Sequence, residues 1–205
     1  MRCVIIGGAE IQEYGIISEY LKKDDFFIFC DSGLKHCEKL NVKPDLIVGD
    51  FDSHQKPETD TETIVLPCEK DDTDTVFAVK EALKRGFDNF LIIGVTGQRL
   101  DHTLGNISIL NMLFSENKKA TIADDYSEME VVSNKTVFVD DSYAYFSLIN
   151  LFGKADGINI KNAKYPLENA EITSEYQYGI SNEVLPGKNA EITVKNGRLL
   201  LIKIR

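Results

Sequence analysis

The sequence predicts two domains: an N-terminal three-layer α/β domain with a mostly parallel sheet, followed by a C-terminal antiparallel β-sandwich. Three observations carry this. In the first half, short continuous runs of Val, Ile, Leu and Phe alternate with helix-length amphipathic segments, the pattern of strands buried on both faces and joined by helical crossovers. From about Ser127 onward the segments shorten into strands separated by turn signals. That change of character places the boundary near Asp125 to Glu128 and the domains at 1–126 and 127–205, and no low-complexity linker marks it.

In chain order, Cys3 to Ile6, Phe26 to Cys30, Leu46 to Val48, Thr63 to Leu66, Phe90 to Ile93 and Ala120 to Ala123 read as the parallel strands. Helical periodicity marks Ile11 to Leu21, Gly33 to Leu40, Thr73 to Arg85 and His102 to Phe114. Beyond them, Glu130 to Val132, Thr136 to Val139, Tyr143 to Asn150, Gly157 to Ile160, Glu191 to Val194 and Leu199 to Ile204 read as antiparallel strands. Asn196-Gly197, a pair that favours tight turns, predicts a hairpin joining the last two.

At 205 residues and 43% hydrophobic, the chain has ample material for buried cores. The 23 Lys plus Arg against 33 Asp plus Glu leave a net charge of -10, which opposes binding to a nucleic-acid backbone. No stretch nears the ~20 apolar residues needed to span a bilayer, and the chain enters a strand at Cys3 without a cleavable leader. The four cysteines show no CxxC spacing. Reduced thiols and a cytoplasmic location are expected.

Ligands of parallel α/β sheets bind beyond the carboxyl ends of the strands. Four chemically suggestive segments fall there: Gly7-Gly8, Asp31-Ser32-Gly33, Gly49 to Ser53, and Gly94 to Asp101. Asp50 and Asp52, with Asp71, Asp72 and Asp74 of Lys70-Asp71-Asp72-Thr73-Asp74-Thr75, put five carboxylates into two short loops. They repel unless a cation joins them, and clustered carboxylates suit Mg²⁺ completed by phosphate oxygens. The competing reading makes Asp72 or Thr73 an ordinary cap of the following helix.

In Gly94-Val95-Thr96-Gly97-Gln98-Arg99-Leu100-Asp101-His102, the glycines allow close backbone approach and Arg99 offers a fork of donors for phosphate oxygens. The segment is neither a Walker loop nor a dinucleotide fingerprint.

Gly-Asp-x-Asp-Ser, Lys-Asp-x-Thr-Asp and Gly-x-x-Gly-x-Arg-x-Asp-His followed by Asn106, in that order, resemble the thiamine pyrophosphokinase family, as does Tyr178-Gly179-Ile180-Ser181-Asn182-Glu183 near the end. The resemblance spans nearly the whole chain. It implies pyrophosphoryl transfer from ATP to thiamine, giving thiamine diphosphate and AMP, by a homodimer. Carried onto matching positions, it implies that Asp50, Asp52 and Asp71 hold Mg²⁺ with Asp31 nearby. Thr73 and Asp74 would line the reaction centre. Thr96, Gly97, Gln98, Arg99, Asp101, His102 and Asn106 would contact the nucleotide, with Gln98 standing where a glycine is frequent. Ser181 and Asn182 would face thiamine, and ring stacking would fall to Tyr178, Phe51 or another aromatic. Arg99 would neutralise phosphate charge, and Asp71 and Asp74 both qualify as acceptor of the hydroxyl proton. A Mg-dependent phosphatase using Asp50 as nucleophile is one enzymatic rival, although such a motif usually follows the first strand; an Asp-x-Asp glycosyltransferase using a metal-bound sugar nucleotide is a second, without visible acceptor machinery, and a non-enzymatic nucleotide-binding regulator is the rival from another class.

Overall fold

The computed structural model describes residues 1–51, 58–69 and 71–205 and resolves into two compact units, Met1–Asp125 and Tyr126–Arg205. The first is built on strands β1 (Cys3–Ile6), β2 (Phe26–Cys30), β3 (Leu46–Gly49), β4 (Glu62–Val65), β5 (Asn89–Ile93) and β6 (Lys119–Ala123). Every pairing in the order β4-β3-β2-β1-β5-β6 is parallel. Helices α1 (Tyr14–Tyr20), α2 (Cys37–Leu40), α3 (Asp74–Lys84) and α4 (Leu100–Ser115) connect them, with a 3-10 helix, Asp31–His36, leading into α2.

Side chains alternate across a strand. Val4 and Ile6, Phe27 and Phe29, and Leu91 and Ile93 form one buried face with Ile17 of α1 and Leu40 of α2. The intervening residues face the other way, where α3 packs on β1, β2 and β3 through buried Ala78, Val79 and Ala82. Burying both faces is why β1, β2, β3 and β5 are legible as unbroken apolar runs.

The elements differ from expectation where backbone groups find tertiary partners. Helix α1 starts at Tyr14 rather than Ile11, because the Asp125 carboxylate accepts the amides of Gln12 and Glu13 at 3.0 Å each and holds that stretch out of the helix. The helix expected at Gly33 to Leu40 divides into the 3-10 helix and the single turn of α2, which ends at Asn41 in the left-handed region.

In the second unit, β7 (Ser127–Val132), β13 (Leu199–Ile204) and β9 (Tyr145–Ile149) pair antiparallel about β13. The strands β8 (Thr136–Asp140), β10 (Lys154–Lys161), β11 (Leu167–Thr173) and β12 (Asn189–Thr193) form a four-stranded sheet in the order β11-β10-β12-β8. A single apolar core joins both layers: Phe146 and Leu148 of β9 and Leu199 and Leu201 of β13 pack with Ile158 and Ile160 of β10 and Ile192 of β12. This is a β-sandwich.

The expected hairpin at Asn196-Gly197 is not formed. β12 and β13 lie in different layers, and the pair instead carries the chain from one to the other. Asn196 is held by reciprocal backbone bonds to Asp156 and by its Nδ2, 2.6 Å from Asp156 Oδ1. Gly197, at φ 82°, sits so close to β10 that a Cβ would lie 2.2 Å from the Lys154 carbonyl oxygen. The turn chemistry was read correctly, but its partner is a distant strand.

Candidate functional site

The parallel sheet delivers the loops after β1, β2, β3 and β5 to one edge. Asp31 follows β2, Asp50 follows β3, and Asp74 opens α3. One carboxylate oxygen from each lies within 4.8 Å of the others, and all three residues are half-buried. Asp31 Oδ1 and Asp74 Oδ1 are shielded from solvent. Asp31 takes φ 32°, an unusual conformation for a non-glycine residue, and Gly49 makes room for it, since a Cβ there would lie 2.9 Å from Asp31 Cβ.

Asp71 stands outside this group. It is exposed and lines a separate hollow of about 370 Å³ with Asp72, Thr73, Asp101, His102 and Asn106. Asp52 lies outside the described residues, as do Ser53 and Lys70 of the same motifs. Thr73 is the N-cap of α3, its Oγ1 accepting the Val76 amide at 3.3 Å, so the capping reading holds for Thr73 while Asp74 is left to the carboxylate group. Asp72 pairs with Lys80.

Beside the acidic group is a cavity of about 290 Å³. Its walls are the Gly7-Gly8-Ala9-Glu10 loop, the Gly94 to Arg99 loop and the first turns of α4; Ser32 and Thr75, chain neighbours of Asp31 and Asp74, join it to the carboxylates. The two loops meet at Gly7 and Gly94, with the Val95 side chain packed beside them. Gly7 and Gly94 approach so closely that a Cβ on Gly7 would lie 2.5 Å from the Gly94 oxygen.

The nucleotide residues expected from sequence, Thr96, Gly97, Gln98, Arg99, His102 and Asn106, all line this cavity, whereas Asp101 lines the adjacent hollow. Several have internal tasks. Thr96 Oγ1 bonds Asp124 at 3.1 Å, and buried Asn106 donates from Nδ2 to the Val95 carbonyl at 2.8 Å, fixing the loop rather than reaching outward. Thr103 Oγ1 accepts the Gly97 amide at 3.1 Å and donates to the Arg99 carbonyl at 3.0 Å. Arg99 makes a two-pronged pair with Asp101, at 3.0 and 2.7 Å, with both side chains exposed. That hydrogen-bonded guanidinium holds the Asp101 carboxyl well below the usual carboxylate range. Anything binding Arg99 must compete with this carboxylate.

Sequence reading missed Thr75, Thr103 and Asp124. Thr75 closes the acidic motif but acts by being buried against the cavity, Thr103 braces Gly97 and Arg99 from the next helical turn, and Asp124 holds Thr96 from 28 residues away.

In the second unit the segment Gln177 to Asn182 is tied along β9. Leu148 N donates to Gly179 O at 2.7 Å, Ser181 N to Ser147 Oγ at 3.0 Å, and Asn182 and Phe146 exchange backbone bonds at 2.9 Å. Ser181 is exposed, at φ 56°. Tyr178 is 40% exposed, its ring 5.3 Å from that of Tyr176 and its hydroxyl bonded to the Glu171 carbonyl. Asn182 is buried and its amide is spent internally, on both backbone groups of Tyr165.

A carboxylate group able to hold a hard cation, next to a glycine-walled cavity with an arginine at its mouth, defines an α/β enzyme of phosphoryl-group transfer. The family follows from comparison with known proteins. Residues 17–122 match a model described as the thiamin pyrophosphokinase catalytic domain, and residues 133–199 match the vitamin B1 binding domain of the same enzyme. The chain belongs to the thiamin pyrophosphokinase family. It is similar to the thiamine pyrophosphokinase of Bacillus subtilis, 28% identical over 195 residues covering 91% of each protein. The crystal structure of the Bacillus subtilis enzyme superposes with a TM-score of 0.88 at 25% identity, covering 100% of this chain and 99% of that one. That of the Geobacillus thermodenitrificans enzyme gives 0.84 at 26%, covering 100% and 98%.

Proposed function

We propose that the cavity receives ATP, that Asp31, Asp50 and Asp74 with Asp52 hold Mg²⁺ beside it, and that the site transfers pyrophosphate to thiamine, giving thiamine diphosphate and AMP. The convergence of three carboxylates beside an arginine-bearing, glycine-walled cavity carries the reading. The donors fit the ion: octahedral Mg²⁺ takes oxygens at about 2.0–2.1 Å, so opposite ligands lie about 4 Å apart, within the 4.8 Å spread of the three carboxylates. When bound, Mg²⁺ supplies neutralisation of phosphate charge.

The chain's own groups do the rest. The thiamine hydroxyl oxygen attacks the β-phosphorus of ATP, the bond from that phosphorus to the α–β bridging oxygen breaks, and AMP departs with the oxygen. Arg99, swung from Asp101, bridges two phosphate oxygens. The hydroxyl proton passes to Asp71, since an aspartate engaged with a cation has reduced basicity, and Asp71 stands apart from the carboxylate group. Tyr178 and Ser181 offer the exposed surface for thiamine on the second unit. A phosphatase using Asp50 as nucleophile would leave Arg99 and the glycine walls without a task.

Phosphorus-31 spectra should show AMP formed only in the presence of thiamine; ADP with thiamine monophosphate as first products would overturn the reading. Arg99→Lys should lower kcat/KM for ATP by roughly 10- to 100-fold, the loss of one charged hydrogen bond, and leave the thiamine KM unchanged. An effect confined to thiamine would move Arg99 out of the phosphate role.

We infer a homodimer, supported by the family and by Phe138, Tyr145, Tyr165 and Tyr176 standing exposed on the second unit. Sedimentation at assay concentration tests it, and an active monomer would refute it. The four cysteines are free thiols, consistent with the reducing cytoplasm, and no helix among the described residues is long and apolar enough to cross a membrane.

A further inference from the structure

We infer that His36, assisted by Tyr14, is a positioning residue for the nucleotide: it fixes the Gly7-Gly8-Ala9 wall of the cavity. This rests on reading that cavity as the ATP site. His36 ends the 3-10 helix that begins at Asp31, and it is fully buried. Its Nε2 lies 2.9 Å from the Ala9 carbonyl oxygen and its Nδ1 2.7 Å from the Tyr14 hydroxyl. A carbonyl only accepts, so Nε2 carries the hydrogen; Nδ1 of the neutral ring then accepts from Tyr14. Burial pushes the imidazole below its ordinary pKa, which keeps it in that neutral form.

Ala9 is therefore gripped at both ends, its amide donating to Gly94 O at 2.8 Å and its carbonyl accepting from His36. The grip matters because the wall has no slack. A Cβ on Gly8 would lie 1.8 Å from Ser32 Oγ and one on Gly33 3.0 Å from the Gly7 carbonyl oxygen, so the loop is packed directly against the start of the 3-10 helix. One short helix thus carries Asp31 to the carboxylates at its start and pins the cavity wall at its end. The charged groups around the pair are Glu10 and Lys35, joined to each other, Lys39, which lies 5.0 Å from the centre of the Tyr14 ring, and Asp125.

A buried histidine that merely fills space would affect stability alone. A positioning residue should split the kinetic constants. His36→Phe keeps a ring and removes both polar contacts; His36→Gln keeps an N–H able to reach Ala9; Tyr14→Phe removes only the hydroxyl. We expect His36→Phe to weaken binding of a non-hydrolysable ATP analogue and raise the ATP KM by about tenfold, the equivalent of one buried hydrogen bond. Its kcat and thiamine KM should stay within about twofold. His36→Gln should recover most of the loss, and Tyr14→Phe should show a smaller shift in the same constant. Unchanged nucleotide affinity in His36→Phe, equal losses in all constants, or a glutamine no better than phenylalanine would overturn the inference. If His36→Phe fails to fold, Tyr14→Phe decides: an ATP-specific shift sustains the inference and none refutes it. Absence of thiamine-dependent AMP from the wild type would sink the functional reading instead, while analogue binding would still report on the wall.

Discussion

Asp74→Asn should lower turnover by about 10³-fold, or ~4 kcal/mol of transition-state stabilisation, without unfolding the protein. Asp74 shares a space of 4.8 Å with Asp31 and Asp50. Like charges that close repel one another, by at most a few kcal/mol per pair in a partly solvated site. Opposing this, a carboxylate in the first turn of a helix contributes only about 0.3–1 kcal/mol. Repulsion wins, so the amide should leave the melting temperature unchanged or raised. The α3 cap is untouched, because it belongs to Thr73. Mg²⁺ should raise the melting temperature of the wild type and not that of the variant. Near-normal turnover of Asp74→Asn at limiting Mg²⁺ would remove Asp74 from the metal site.

Asp74 also shows what a sequence discloses and what it withholds. The loops at the sheet edge were legible because a parallel sheet buried on both faces gives unbroken apolar runs, and chain polarity then puts every following loop at one edge. Which carboxylates meet there was only partly legible. The resemblance put Asp50, Asp52 and Asp71 with the cation, Asp31 nearby and Asp74 at the reaction centre; among the described residues the oxygens that converge belong to Asp31, Asp50 and Asp74. The choice depends on the turn between Asp71 and the Thr73 cap, a matter of backbone direction over three residues that periodicity does not encode. His36 with Ala9, 27 residues apart, and Asp125 with Gln12, 113 apart, left no local trace.

The second unit was harder for a related reason. β11 went unnoticed because Leu167–Thr173 is an edge strand, largely exposed, with Asn169 at φ 47° and a shifted register against β10, so no alternation survives. Asn196-Gly197 gave a true turn signal but not the identity of the strands it joins. Antiparallel sandwiches are specified by cross-layer packing, as at Phe146, Ile158 and Leu201, more than by local pattern.

Asn182 carries the same lesson into a measurement. As a thiamine contact, its replacement would raise the thiamine KM and leave the fold alone. In the structure its side chain is a bracket: Oδ1 accepts from Tyr165 N at 3.0 Å and Glu183 N at 2.9 Å, and Nδ2 donates to Tyr165 O at 2.8 Å. The bracket is 4% exposed. Asn182→Ala strands three backbone groups, each costing about 1–3 kcal/mol when buried and less where water reaches. We expect a loss of roughly 2–4 kcal/mol, which for a chain of this size lowers the melting temperature by about 5–15 °C. Because the chain has two compact units, the second should melt first, and calorimetry should show the transition broadened or split. Ser181→Ala is the control: Ser181 is exposed and its amide, not its hydroxyl, bonds Ser147. It should leave stability within about 0.5 kcal/mol, so a change in its thiamine KM reports on contact rather than folding. An Asn182→Ala protein that melts like the wild type while losing thiamine affinity would show that the amide turns outward to the substrate and that the bracket is dispensable.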